Sequence, residues 1–123
     1  MAGVREKVRE FALSFPEAFE DHPWGEDVAK VRGKIFVFLG TSGSPRRRIT
    51  VKLEESHAHA LSIEGAEPTG YGLRNAGWVT VPLRAPGIDL QLLRDWVEES
   101  YRIVAPKRLV AALDDSEANR ATL

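Results

Sequence analysis

Between Lys30 and Leu53 the chain carries seven lysines and arginines and no aspartate or glutamate. Lys34-Ile-Phe-Val-Phe-Leu39 is a continuous apolar arm, as expected of a strand in the middle of a sheet or buried on both faces. Gly40-Thr-Ser-Gly-Ser-Pro45 has the composition of a tight loop, and Arg46-Arg-Arg-Ile-Thr-Val-Lys-Leu53 forms a second arm. Successive side chains of a strand point to opposite faces, so Ile49, Val51 and Leu53 share one side while Arg48, Thr50 and Lys52 share the other. A β-hairpin with a basic tip is the element around which the rest must be arranged. All eighteen acids lie outside it, so the formal net charge of −1 belongs to a strongly polarised chain.

A chain of 123 residues can bury a hydrophobic core as one domain without metal or disulfide. Its 43% hydrophobic and 28% charged residues are ordinary for a globular protein, and no apolar run approaches the roughly 20 residues that span a bilayer. Met1 to Lys7 alternates in charge and lacks the apolar stretch of a signal peptide, so a cytoplasmic location away from membranes is expected. The absence of cysteine excludes disulfides, thiolate nucleophiles and cysteine-ligated metals.

Val4, Val8, Phe11, Ala12 and Phe15 are spaced as the inner stripe of an amphipathic helix, which should end before Pro16. A short strand before Pro23-Trp-Gly25 and another at Asp27–Val31 are expected, the second turning through Arg32-Gly33 into Lys34. Glu54–Ile63 loses the strand alternation and begins with acids, which favours a helix stopped by Gly65. Glu67–Gly72 is a loop by composition, and Trp78–Leu83 alternates again as a strand that Pro82 confines to an edge or ends. Asp89 is placed to cap a helix, with Ile88 and Leu93 as a hydrophobic staple and Leu92, Leu93, Trp96, Val97, Ser100, Tyr101 and Val104 as its inner stripe. Pro106 ends that helix, and Lys107–Leu113 supplies a short last one. The expected architecture is α+β in two layers, an antiparallel sheet with helices packed on one face, over residues 1–113, followed by a polar tail at 114–123 that frays.

Asp21-His-Pro-Trp-Gly25 with Val28–Val37, then Gly70–Val81, then Glu99–Val104, resemble in order and spacing the blocks of the YjbR-like (MmcQ) family, and the likeness extends over Val4–Leu113. That resemblance implies a "double wing" type of α+β fold, DNA binding and no accepted catalytic residues. Where many members carry Asn-Lys-Lys before the tryptophan of the late strand, this chain has Asn75-Ala-Gly77, which leaves the first hairpin to supply most of the charge.

Candidate nucleic-acid contacts are Arg46, Arg47 and Arg48 at the tip, Arg32, Lys34 and Lys52 as extensions of the patch, and Arg74, Asn75 and Trp78 from the second block. Guanidinium groups beside a Gly/Ser loop can follow a phosphate backbone. The same arginines would also serve as a solvated shoulder that keeps the edge from pairing. The alternative function is a protein-interaction or small-ligand module using the surface around Trp78 and Tyr71.

His57 and His59, two apart on a helix, point away from one another, and His22 has no partner at ligand spacing, so neither metal nor cofactor is expected. Gly40-Thr-Ser-Gly43 lacks the spacing of a nucleophile elbow, and the chain is expected not to be an enzyme.

Overall fold

The computed structural model describes residues 3–41, 47–69 and 77–122, apart from the side chains of Trp24 and residues 118–122. The first apolar stripe forms helix α1 (Val4–Leu13), which buries Val8 and Ala12 completely. Strand β1 (Ala18–Asp21) follows, and a 3-10 turn at Pro23–Gly25 returns the chain as β2 (Asp27–Val31). Arg32 and Gly33 both have positive φ, 52° and 78°. A two-residue hairpin turn whose twist matches its strands requires that geometry. Strands β3 (Lys34–Gly40) and β4 (Arg48–Lys52), the short helix α2 (His57–Leu61), β5 (Glu67–Pro68), β6 (Trp78–Pro82), α3 (Leu90–Val104) and α4 (Lys107–Thr122) complete the chain.

The six strands form one sheet in the order β1-β2-β3-β4-β6-β5, each neighbouring pair antiparallel. Helices α1 and α3 pack on each other and on β3, and α3 reaches β4. The fold is thus the expected two-layer α+β arrangement. Asp89 caps α3 by accepting a hydrogen bond from Leu92 N at 2.8 Å, and Ile88 and Leu93 both join the core. Trp96 is buried in that core on the same helix.

Three boundaries differ from expectation. Glu67–Pro68, assigned to a loop by composition, is an edge strand pairing with Thr80 and Val79. It sits where a proline's missing donor costs least. Helix α2 starts at His57, after the acids, although Gly65 does follow it at φ 86°. Helix α4 extends the short last helix to Thr122, through the segment expected as a tail. Arg102 of α3 reaches Asp114 at 2.8 Å and Glu117 at 3.2 Å, tying down a segment whose own amphipathic signal is weak.

Each cross-strand row lies on one face of the sheet. Glu20, Ala29, Val37, Val51, Val79 and Pro68 are successive partners on the helix side. One residue along every strand, Asp21, Val28, Phe38, Thr50, Thr80 and Glu67 form the row on the side facing away from α1 and α3, the open side among the described residues. The β2–β3 register shifts after Ala29, a bulge that leaves Ile35 beside Lys30. Phe36 thereby turns toward the helices, where its ring meets Phe15 and Tyr101.

At the same bulge the Ser100 hydroxyl of α3 enters the β3–β4 ladder. It donates to Phe36 O and accepts from Lys52 N at 2.9 Å, which satisfies two groups that the interrupted ladder leaves over. Val28 and Trp78 are buried apart from the main core, on the open side, where Trp78 meets Phe38 edge-on with ring centroids 5.5 Å apart.

Candidate functional site

Strand pairing decides which of the basic residues can act together. Arg47 and Arg48 lie at the tip end of the hairpin, whereas Arg32 and Lys34 lie at the other end of β3, a strand of seven residues. At about 3.3 Å per residue that separation is about 20 Å. Lys52 closes β4 at the Lys34 end and is the cross-strand partner of Trp78. The single patch expected from sequence is therefore two clusters at opposite ends of one hairpin. Arg46, Arg74 and Asn75, along with Tyr71, lie outside the described residues.

Acids from neighbouring strands engage some of this charge. Arg48 pairs with Glu67 at 3.1 Å, Lys30 with Asp21 at 2.7 Å, and Arg32 with Glu17 at 3.0 Å. Arg32 and Glu17 are both turn residues at positive φ, so their pair has a structural task. Among the described residues, Lys34, Arg47 and Lys52 have no acidic partner within ion-pair distance. Exposed ion pairs contribute about 0–1 kcal/mol, so a phosphate could displace the Arg48 and Lys30 partners at little cost.

Arg47 has a further neighbour. A Cβ added to Gly3 would come within 3.8 Å of its Nη1, which places the guanidinium beside the start of α1. The N-cap of that helix is Gly3, which has no side chain to bond the first N–H groups, and the helix dipole adds positive potential there. Arg5 fixes this corner by donating from Nε to Leu39 O at 2.9 Å and from Nη2 to Gly40 O at 3.1 Å.

Sequence spacing did not reveal the surroundings of His22. Its Nδ1 lies 2.6 Å from Asp27 Oδ1 and its Nε2 3.8 Å from Glu20 Oε1, which corrects the expectation of a partnerless histidine. The ligand atoms of these three residues lie within 4.8 Å of one another. Both carboxylates already hold arginines, Asp27 through Arg5 and Glu20 through a forked pair of bonds from Arg9. Hydrogen bonding from Arg9 outweighs burial and holds Glu20 below the usual carboxylate range. For Asp27, burial pushes upward, but the bonds from Arg5 and His22 prevail and its pKa is lowered. The result is a row of paired polar groups that laces α1 to β1 and β2, with the His22 ring more than half exposed at its centre. His57 and His59 fall on helical α2, and the His59 ring packs edge-on against Trp96 at 5.4 Å.

The acids have their own concentration. A groove of about 350 Å³ is lined by Glu54, Glu55, Asp95, Glu98, Glu99, Arg102 and Ile103. Glu99 is employed there in accepting from Glu54 N, Ser56 N and Ser56 Oγ. Burial, reinforced by Glu117, pushes the Glu98 carboxyl upward despite its bond from Arg102. Three of the groove's acids, Asp95, Glu98 and Glu99, come from α3, and the other two, Glu54 and Glu55, follow the end of β4.

Against known families, a model described as YjbR matches residues 13–103, a span running from the last residue of α1 through nearly all of α3. Among curated proteins no relative matches. Among the described residues, no helix is long and apolar enough to cross a membrane.

Proposed function

The chain belongs to the YjbR family, and from that premise we propose that it is a cytoplasmic nucleic-acid-binding protein of low sequence specificity that acts by binding rather than by catalysis. Its basic hairpin contacts phosphates, with DNA the favoured partner. The observation that supports this reading is the placement of Lys34, Arg47 and Lys52, cations without acidic partners among the described residues, at the two ends of the β3–β4 hairpin. Phosphate contacts of this kind fix register without reading sequence. The carboxylates beside His22 are held ionised by Arg5 and Arg9, which suits them to joining α1 to the sheet rather than to proton transfer.

The test is an Arg46/Arg47/Arg48→Ala variant, checked for an unchanged thermal midpoint and titrated against duplex DNA at three salt concentrations. Each neutralised phosphate adds about 0.9 to the slope of log K against log salt, so the slope should fall by up to about 2.7. Wild-type protein that binds no nucleic acid even at low salt, or a variant with the wild-type slope, would overturn the reading.

A further inference from the structure

The open face of the sheet carries a second row of side chains, next to the one that runs from Asp21 to Glu67. Phe19 pairs with Lys30 and Lys30 with Ile35 across β1, β2 and β3, and Lys52 pairs with Trp78 across β4 and β6. Lys52 is one residue beyond Val51, the partner of Val37, and so stands opposite the bulge that turns Ile35 to this side. Read across the sheet, the row is aromatic, cationic, aliphatic, cationic, aromatic. At about 4.8 Å between strands it spans about 19 Å.

Phe19 is the most exposed large apolar side chain among the described residues, at 45%, and Ile35 and Phe38, two strands away on β3, are partly exposed. The adjoining row presents hydroxyls. Thr80 Oγ1 lies 2.8 Å from Thr50 Oγ1 and 3.1 Å from Thr69 Oγ1.

We propose that this face receives the unpaired bases of a single-stranded nucleic acid, an inference that rests on the phosphate-binding reading above and specifies its substrate. A ring on an open sheet has no use for duplex DNA, whose base faces are stacked against one another. An unstacked base offers its π-face to any aromatic, whatever its identity. Phe19 supplies the exposed ring, Lys52 can meet the backbone directly and Lys30 once a phosphate displaces Asp21, and the threonine hydroxyls can bond base edges. Trp78, nearly buried and edge-on to Phe38, holds that ring in place and is not itself a stacking surface. Charge favours a nucleic acid over an apolar protein surface. The row holds two lysines and no acid, and the acids at the ends of the neighbouring row, Asp21 and Glu67, are bound to Lys30 and Arg48.

The experiment measures fluorescence anisotropy of labelled single-stranded and duplex oligonucleotides with wild-type protein, Phe19→Ala, Phe19→Trp and Arg47→Ala, each checked for an unchanged thermal midpoint. Loss of one base stack should weaken single-strand binding by Phe19→Ala about ten-fold, leave its salt slope and duplex affinity unchanged, and be restored in Phe19→Trp. Arg47→Ala should lower the salt slope on both ligands. If Phe19→Ala binds single strands as wild type does while Arg47→Ala still weakens them, the base platform is refuted and the hairpin reading stands. If wild-type protein binds neither ligand, the hairpin reading fails and takes the platform with it.

Discussion

Val37, Val51 and Val79 on the helix side and Phe38, Thr50 and Thr80 on the open side are neighbours along the same three strands, yet they obey different rules. The first three are wholly buried on the helix side, where shape and apolarity decide what is allowed. The second three carry an aromatic ring and two hydroxyls and remain partly exposed. One residue's displacement along a strand separates stability from surface chemistry. The helix side carries the main core, and beyond the buried Val28 and Trp78 the open side and the hairpin ends carry lysines, an exposed ring and ion pairs.

The contrast can be broken most forcefully at Trp96. Its replacement by alanine removes a large ring from the helix-side core and should cost about 3–5 kcal/mol in chemical denaturation. A loss below about 1 kcal/mol would mean that this face is not the one holding the fold. Ser100→Ala comes next. It strands Lys52 N and Phe36 O at the interrupted ladder, and the expected cost is about 1–3 kcal/mol by the same measurement. A neutral result would show that the two groups find other partners.

Acid should erode the lacing of α1 to β1 and β2 before it touches the core. Glu20 and Asp27 have lowered pKa values in the folded protein, so their contribution is present above the ordinary glutamate value of 4.5 and is lost as pH falls through their folded values. The thermal midpoint should therefore drop between pH 5 and strong acid, and Arg9→Met should flatten that limb by about 1 kcal/mol or less. Glu98, shifted the other way, contributes stability that disappears as pH rises through its folded pKa, so Glu98→Gln should leave the acid limb in place. The smallest effect belongs to Arg48→Ala on the open side. Breaking its exposed pair with Glu67 should change stability by about 0.5 kcal/mol or less, and a larger loss would give that side a structural role.

Periodicity made most of the fold legible in the sequence. The alternation of Ile49, Val51 and Leu53, the stripe from Leu93 to Tyr101 and the capping position of Asp89 each express a local rule, and each appears in the structure. What was not legible depends on distant partners. Glu67–Pro68 is a strand only because β6 is beside it, and α4 continues past Leu113 where Arg102 of another helix meets its acids. The candidate site shows the same limit. Seven cations in one stretch were visible as charge, but antiparallel pairing divides them, and Glu17, Asp21 and Glu67 engage three. The partners of His22, and the meeting of Phe19 with Lys30, are set by strand register and have no signature along the chain.

The hydroxyl wedged into the β3–β4 ladder has a consequence for how amide protons leave this protein. Lys52 N donates to Ser100 on α3 rather than to the facing strand. Its exchange with solvent deuterium should therefore follow the lifting of that helix, while Val51 and Thr50 follow the opening of the sheet. In an EX2 hydrogen-exchange measurement, Lys52 becomes a timer for α3 planted inside the hairpin. Nucleic acid that merely occupies the hairpin would leave that timer unchanged, whereas nucleic acid that also tightens the helical layer would slow it.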